Sequence, residues 1–358
     1  MMNKSPENTR VLLVGSNSFN LFNYYQLIQG KVSHIQVVCA RKTGYCTQID
    51  GVKYVNASYR KAWLLFKDIK ILKQVIQETK PDVIHIHQIV LLAALMIFAN
   101  RETKIPVIVT AWGSDMLINP RRSWILKKVV QYVLHRANIF TANSAFLEKN
   151  MRFYAKKEIT IERCHYGIDM KDDKTEKENM IFSNRQLYPL YRIDSIIRNF
   201  YQFHQKHPEW TLVIAAEGSE KQNLQILVHH LNLQLNVKFV GWLSNEENIR
   251  YYCKSKIWVS VPKSDSTAVS LLEAMYYGAI PVVYDLPASQ EWITDGVNGI
   301  VVSNLEEDFL ERALRVDAAR CATINREKVM TEASKELNRE KFLQLYQQLI
   351  QENAVTSQ

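Results

Sequence analysis

Chemistry in this chain concentrates in one run, Pro262–Gly299, which reads PKSDSTAVSLLEAMYYGAIPVVYDLPASQEWITDGVNG. An apolar strand ends near Val261, a turn rich in Ser, Asp and Thr follows, and a helix is expected to begin near Ser266 or Thr267. Hydroxyl and carboxylate side chains cap helices well, and the free amides and dipole of a helix start attract phosphate. Glu273 follows Asp265 about two helical turns on, so two carboxylates stand ready to accept hydrogen bonds from hydroxyl groups. Gly278 and Pro281 mark the helix end and the start of the next strand. His85 and His87 alternate on another apolar strand and so point to the same side. They have no Cys or carboxylate beside them. His85 is expected to pack in the core, and His87, at the strand's carboxyl end, to face a cleft. No Asp-x-Asp pair is present, and no metal is expected. Also absent are GxGxxG after a strand, GxxxxGK[ST], GxSxG and HExxH.

The elements that must position these residues follow from periodicity. Short β-branched runs at Arg10–Gly15, His34–Ala40, Asp82–His87, Pro106–Ala111 and Asn138–Ala142 read as strands. Helical patterns separate them at Phe19–Gln29, Trp63–Glu78, Ile89–Asn100 and Trp124–His135. Strands without polar alternation, each followed by a helix, imply a parallel sheet covered on both faces. The pattern pauses in the charged stretch Lys171–Asn179 and restarts with strands at Met180–Ser183, Trp210–Ala216, Val237–Val240, Ile257–Val261 and Ile280–Tyr284. Helices are expected at Asp194–Gln205, Glu220–Leu231, Asn245–Lys254, Thr267–Tyr277 and Glu306–Ala319. The expected organisation is an α/β chain of two Rossmann-like doubly wound domains facing each other across a cleft. The first is 1–170, the linker 171–179, the second 180–324, and a C-terminal helix and tail fill 325–358. Ligands then belong at the carboxyl ends of the strands.

Composition agrees with this organisation. The 358 residues are 47% hydrophobic and 23% charged, an ordinary globular mixture long enough for two domains. The longest apolar run, Ile89–Ala99, is shorter than the roughly 20 residues of a membrane span, and Met1–Arg10 lacks the apolar core of a signal peptide. Five scattered cysteines with no CxxC pair fit a reducing cytosol. Charge is uneven. Residues 1–170 hold 24 Lys and Arg against 11 Asp and Glu, a net +13, whereas residues 171–358 hold 21 against 25, a net −4. A basic half suggests an anionic surface as partner. Ile118–Arg136 carries Arg121, Arg122, Lys127, Lys128 and Arg136 with no acid. On one helix Arg121, Lys128 and His135 would share a stripe with Trp124 and Tyr132 between them, as an interfacial helix does. Arg60–Lys73 offers a second such segment around Trp63 and Phe66. No motif for reading bases is present, so nucleic acid is not an expected partner.

The Pro262–Gly299 run resembles the donor-site signature of the family 4 glycosyltransferases of GT-B fold, which are retaining enzymes. Asp265 and Glu273 stand at the family's E-x7-E spacing, and Ala274-Met275, Gly278, Pro281, Glu291 and Asp295-Gly-Val-Asn-Gly299 follow in register. The first acid is Asp rather than Glu, and Pro287-Ala288 replaces the usual Gly-Gly turn. Ser183-Asn184-Arg185 is similar to the family's strand-then-Arg motif, whose Arg clamps the donor diphosphate. The family's Lys partner is absent, and Arg192 stands in its place. Ala216-Glu217-Gly218 and Val240-Gly241-Trp242 resemble loops that line the nucleotide pocket. In the first half, Thr110-Ala-Trp-Gly-Ser-Asp115 resembles a Trp-Gly-Ser-Asp subgroup of polysaccharide-building enzymes, and Gly15-Ser-Asn17 is a glycine-poor version of the first loop.

The resemblance implies a nucleotide-sugar donor, a glycan or lipid-linked acceptor, retention of configuration and no metal or other cofactor. Arg185, Asp265 and Glu273 would carry the chemistry, with His87 and Asp115 as acceptor-orienting candidates. Gly15, Arg192, Glu217, Gly241, Ser266, Thr267 and Ala268 would complete the donor site. Glu273 would accept from ribose hydroxyls and Asp265 from sugar hydroxyls. The expected location is cytoplasmic, peripheral at the inner face of the membrane. A non-catalytic binding subunit or scaffold of the same fold, and a nucleotide-sugar epimerase, are the alternatives that the residues leave open.

Overall fold

The computed structural model describes residues 6–58, 63–171 and 175–356. The chain divides into two compact units, Met1–Gly167 with Lys335–Gln358, and Ile168–Ser334.

In the first unit, β1 (Arg10–Ser16), α1 (Phe19–Ile28), β2 (His34–Ala40), β3 (Lys53–Val55), α2 (Leu64–Thr79) and β4 (Val83–His87) lead into α3 (Leu91–Asn100) and β5 (Val107–Thr110). The short helices α4 (Ser114–Leu117) and α5 (Asn119–Arg122) precede α6 (Trp124–Leu134), β6 (Ile139–Ala142), α7 (Ala145–Ala155) and β7 (Thr160–Arg163). The seven strands are all parallel in the order β3-β2-β1-β4-β5-β6-β7. Every residue of β4, β5 and β6 is buried, because helices cover both faces of a parallel sheet. Ser18 and Ser144 start α1 and α7 by accepting from the amides of Leu21 and Leu147.

The second unit runs through β8 (Glu178–Ser183), α8 (Ile193–His204), β9 (Thr211–Ala215), α9 (Lys221–His230), β10 (Val237–Gly241), α10 (Asn245–Lys254) and β11 (Ser255–Ser260). It continues with α11 (Val269–Tyr276), β12 (Ile280–Tyr284), α12 (Pro287–Gln290), β13 (Ile300–Val302), α13 (Phe309–Ala313) and α14 (Ala318–Glu332). Its six parallel strands lie in the order β10-β9-β8-β11-β12-β13. A capping box opens α10, where Ser244 accepts from the Glu247 amide and the Glu247 carboxylate accepts from the Ser244 amide. Both sheets are doubly wound. Strand order reverses between β1 and β4 in one and between β8 and β11 in the other, which opens a ligand crevice at the carboxyl ends of those strands.

The domain limits differ from the sequence expectation at the far end. The final helix, α15 (Lys335–Thr356), belongs to the first unit, and the expected limit at 325 falls inside α14. Side chains explain the return. Tyr346 is buried with its hydroxyl 2.7 Å from both the Tyr24 hydroxyl and His85 Nδ1, and Asn338 Oδ1 accepts from the His165 amide. Within the expected linker, residues 172–174 lie outside the described residues, whereas 175–179 are bound to the second unit. Lys177 Nζ donates to the carbonyls of Tyr252 and Tyr277, and Glu178 already opens β8. The short strands β3, β7 and β13 were not expected, nor was α7. The edge strand β7 reads TIER with three exposed positions, so it has no apolar pattern to detect.

Candidate functional site

The crevice of the second unit gathers residues from four strand ends. Arg185 follows β8, Glu217 follows β9, Gly241 closes β10, and Asp265 lies in the loop after β11. Three loops are tied together at this end, those after β8, β9 and β11. The Leu187 amide donates to the Glu217 carbonyl, the Glu220 amide donates to the Leu187 carbonyl, and the Lys263 amide donates to the Leu190 carbonyl. Gly218 is required there, since a Cβ on it would sit 2.2 Å from the Leu187 carbonyl oxygen. Gly241 has φ +72° and its carbonyl accepts from the Ala216 amide at 2.7 Å.

Arg185 and Asp265 meet. Nη2 of Arg185 lies 2.7 Å from Oδ2 of Asp265, with only 11% and 25% of the side chains exposed. Arg185 Nη1 donates to Ser270 Oγ at 3.0 Å, and the guanidinium lies 4.7 Å from the Tyr191 ring centre. Burial pushes the Asp265 carboxyl up, opposed by Arg185 and by the Ser266 amide that donates to Oδ1. Arg192 stands elsewhere in the loop at φ +51°, with its guanidinium 4.4 Å from the Tyr284 ring and Nη1 buried without a hydrogen-bond partner. It is therefore held by a ring on β12 rather than paired with Asp265.

The helix expected near Ser266 starts later. Ala268 is the N-cap of α11 and offers no side-chain cap, so the first amides of this helix have no capping side chain. Ser266 and Thr267 are buried, and Thr267 Oγ1 accepts from Trp292 Nε1 at 3.1 Å. On α11 Glu273 accepts from the Tyr252 hydroxyl at 2.8 Å. Burial raises its carboxyl to about 7, Tyr252 draws it down, and the charge of Asp169 raises it. Glu217 is paired with Lys221 at 2.7 Å. The later part of the run serves architecture. Asp295 binds Arg312 and the Val301 amide, while Asn298 joins Thr294, Trp292 and Asn325.

In the first unit the expected residues behave differently. Gly15 lies buried in β1, where a Cβ would be 3.1 Å from the His87 carbonyl oxygen, so it serves close strand packing. His85 is a satisfied core residue, bonded to Tyr346 and Thr110, and burial lowers it to about 3. His87 does not face an open crevice. It is 1% exposed, stacked 5.5 Å from Trp112 and 6.5 Å from Tyr166, and burial holds it neutral. Both of its ring nitrogens, Trp112 Nε1 and the Tyr166 hydroxyl are buried without a hydrogen-bond partner. Asp115 is not free to orient a ligand, because its carboxylate accepts from the amides of Ile89, Trp112 and Gly113. It clamps the loop after β5 to the loop after β4.

The sequence did not single out Tyr252 or Ser270, and it gave Asn184 and Gly218 no role of their own. Asn184 and Gly218 sit inside motifs already singled out, and Tyr252 and Ser270 each carry a hydroxyl on a helix face with no spacing signal of their own.

Two doubly wound units, each with a strand-order reversal in its parallel sheet, match the GT-B architecture, and the chain shares its fold with solved glycosyltransferase structures. Residues 10–144 match the Glycosyl transferase 4-like family and residues 168–321 match Glycosyl transferases group 1, so the chain carries these two glycosyltransferase domains in that order. The structure of Anabaena HepE in complex with UDP and glucose superposes with a TM-score of 0.79 over 96% of this chain and 100% of that one, at 13% identity. An uncharacterized glycosyltransferase of Haemophilus influenzae is 25% identical over 130 residues, 36% of each chain. An uncharacterized glycosyltransferase of Methanocaldococcus jannaschii is 24% identical over 241 residues, 58% of each chain. The match thus spans between 36% and 58% of the length of these two relatives.

Proposed function

We propose that the protein is a retaining glycosyltransferase that moves a sugar from a nucleotide-sugar donor to a glycan or lipid-linked acceptor without a metal ion. The observation that carries this reading is the meeting of Arg185 and Asp265, 2.7 Å apart, at the switch point of the second unit beside the uncapped start of α11. As the donor's glycosidic bond to phosphate breaks, the sugar becomes cationic and the diphosphate more anionic. Positive charge fixed at the leaving group then matters more than a protein nucleophile. Arg185 and the first amides of α11 supply that charge. Asp265 exchanges its bond with Arg185 for sugar hydroxyls when donor enters, and Glu273 accepts from the nucleotide ribose. The acceptor hydroxyl attacks the anomeric carbon on the face the phosphate leaves, and its proton passes to the departing phosphate oxygen. The structure of HepE, which holds UDP and glucose, supports a nucleotide-sugar donor.

The same reading places the first unit on an anionic membrane surface. Lys127 and Lys128 are exposed on α6 beside Trp124 and Ile125, which are 74% and 46% exposed, and Trp63 and Phe66 are 70% and 81% exposed. The expected single stripe from Arg121 to His135 is broken at Ser123, which is extended at φ −155°, so Arg121 lies on α5 and His135 only caps α6. Arg60 and Lys61 of the second basic segment lie outside the described residues. Among the described residues no helix is long and apolar enough to cross a membrane, so such contact would be peripheral.

A thermal-shift panel of nucleotide sugars tests the donor assignment, since a true donor raises stability by mass action. One nucleotide sugar should stabilise the protein with excess EDTA present. A panel in which none does, or in which stabilisation vanishes with EDTA, overturns the reading or its metal-free part.

A further inference from the structure

Glu273 is held by a chain of hydrogen bonds whose direction is fixed at its far end. An indole N–H can only donate. Trp258 Nε1 lies 3.0 Å from Asn184 Oδ1 and so settles which end of that amide faces it. The amide nitrogen then donates to the Tyr252 hydroxyl at 2.7 Å and to Asn248 Oδ1 at 3.0 Å. With its oxygen accepting from Asn184, the Tyr252 phenol has one proton to give, and Glu273 Oε2 takes it at 2.8 Å. Trp258 and Tyr252 are among the largest fully buried side chains, so neither has room to turn away. Trp258 comes from β11, Asn184 from the end of β8, Tyr252 from α10 and Glu273 from α11. Four elements thus converge on one carboxylate.

We propose that Tyr252, oriented by Asn184 and Trp258, is a positioning residue that fixes one oxygen of Glu273 and leaves the other to meet a donor hydroxyl. The proposal rests on the reading of Glu273 as a donor-binding group, and it adds the device that keeps this group aimed. A rotatable glutamate has three side-chain torsions to order on binding, and a carboxylate already held has fewer. Ser270 does the matching task for Arg185 one turn earlier on the same helix face.

Charge around the carboxylate makes the device measurable without ligand. Burial raises the Glu273 carboxyl most, Tyr252 on α10 draws it down and Asp169, before β8, raises it further, to about 7 in all. Tyr277 at the end of α11 is itself kept protonated by burial. Arg185 acts on the Tyr252 phenol, and Arg326 of α14 is engaged by the Tyr276 hydroxyl and ring. Removing the Tyr252 hydroxyl deletes a bond to the ionised form, which moves the Glu273 titration upward.

The test is a carbon-13 carboxyl titration of the full chain without ligand, with Glu273→Gln identifying the resonance. Tyr252→Phe should move the midpoint up by about one pH unit, as loss of a hydrogen bond to a charged group implies. Trp258→Phe, which frees the Asn184 amide, should move it the same way by less, and it provides the answer if Tyr252→Phe does not fold. Nucleotide-sugar binding by Tyr252→Phe should then weaken about tenfold at pH 6.5 and recover towards wild type at pH 8.5. An unmoved midpoint in both folded variants overturns the positioning role, whatever Glu273 does. A moved midpoint together with unimpaired binding by Glu273→Gln overturns the donor reading instead.

Discussion

Replacing Glu273 by Gln should make the empty protein more stable in alkaline solution and useless at binding donor. The Glu273 carboxyl rises from 4.5 to about 7 on folding, because burial disfavours its charge. The folded state therefore prefers the protonated form more than the unfolded chain does. That stabilisation is complete below pH 4.5 and is lost as pH rises through about 7, where holding the carboxylate ionised costs about 3 kcal/mol. The side chain keeps some solvent contact, so this is an upper limit. Gln has nearly the same volume, carries no charge, and still offers Tyr252 an oxygen acceptor. Urea denaturation followed by tryptophan fluorescence, at pH 5 and pH 8, reads the difference. Glu273→Gln should gain about 2 kcal/mol over wild type between the two pH values. An equal difference at both pH values would refute the reasoning, since it would mean that Glu273 does not titrate in this window.

Arg185→Ala should lower kcat more than it raises the donor KM, because its charge matters most as the diphosphate leaves; steady-state kinetics with unchanged kcat would reduce it to a binding group. Gly218→Ala should cost about 2 kcal/mol or more, read as a lower Tm, because the new methyl would overlap the Leu187 carbonyl that anchors the loop. Vesicles of rising anionic lipid content should pellet the wild type in low salt, and an Arg121/Arg122/Lys127/Lys128→Glu variant should stay in solution. Equal pelleting of the two proteins would leave that basic face as a merely solvated one.

The doubly wound architecture was legible because buried parallel strands are written as unbroken apolar runs, such as Val11–Val14 and Ile257–Val259. The three-residue strands β3 and β13 have no run long enough to register a period, and β7 is an exposed edge. The return of α15 to the first unit was not legible, since its docking depends on Tyr346 finding Tyr24 and His85, more than 250 residues away. At the candidate site, Asp265 and Glu273 stood out by type and spacing around helix punctuation, whereas Arg185 was singled out only by its resemblance to a family motif. Asp115 misled for a physical reason: a carboxylate in a turn after a strand looks like a ligand group, and only the geometry shows it filled by three backbone amides. The hydrogen-bonded chain from Trp258 to Glu273 links residues on four elements, and no local pattern encodes it.

The central claim is that Arg185, Asp265 and Glu273 together bind a nucleotide-sugar donor. Isothermal titration of the stabilising nucleotide sugar into wild type and Glu273→Gln, at pH 8 where the carboxyl is ionised, tests it most directly. The account predicts affinity at least a hundredfold weaker in the variant, about 2.7 kcal/mol, with folding intact. Affinity within twofold of wild type in a folded Glu273→Gln protein would contradict it.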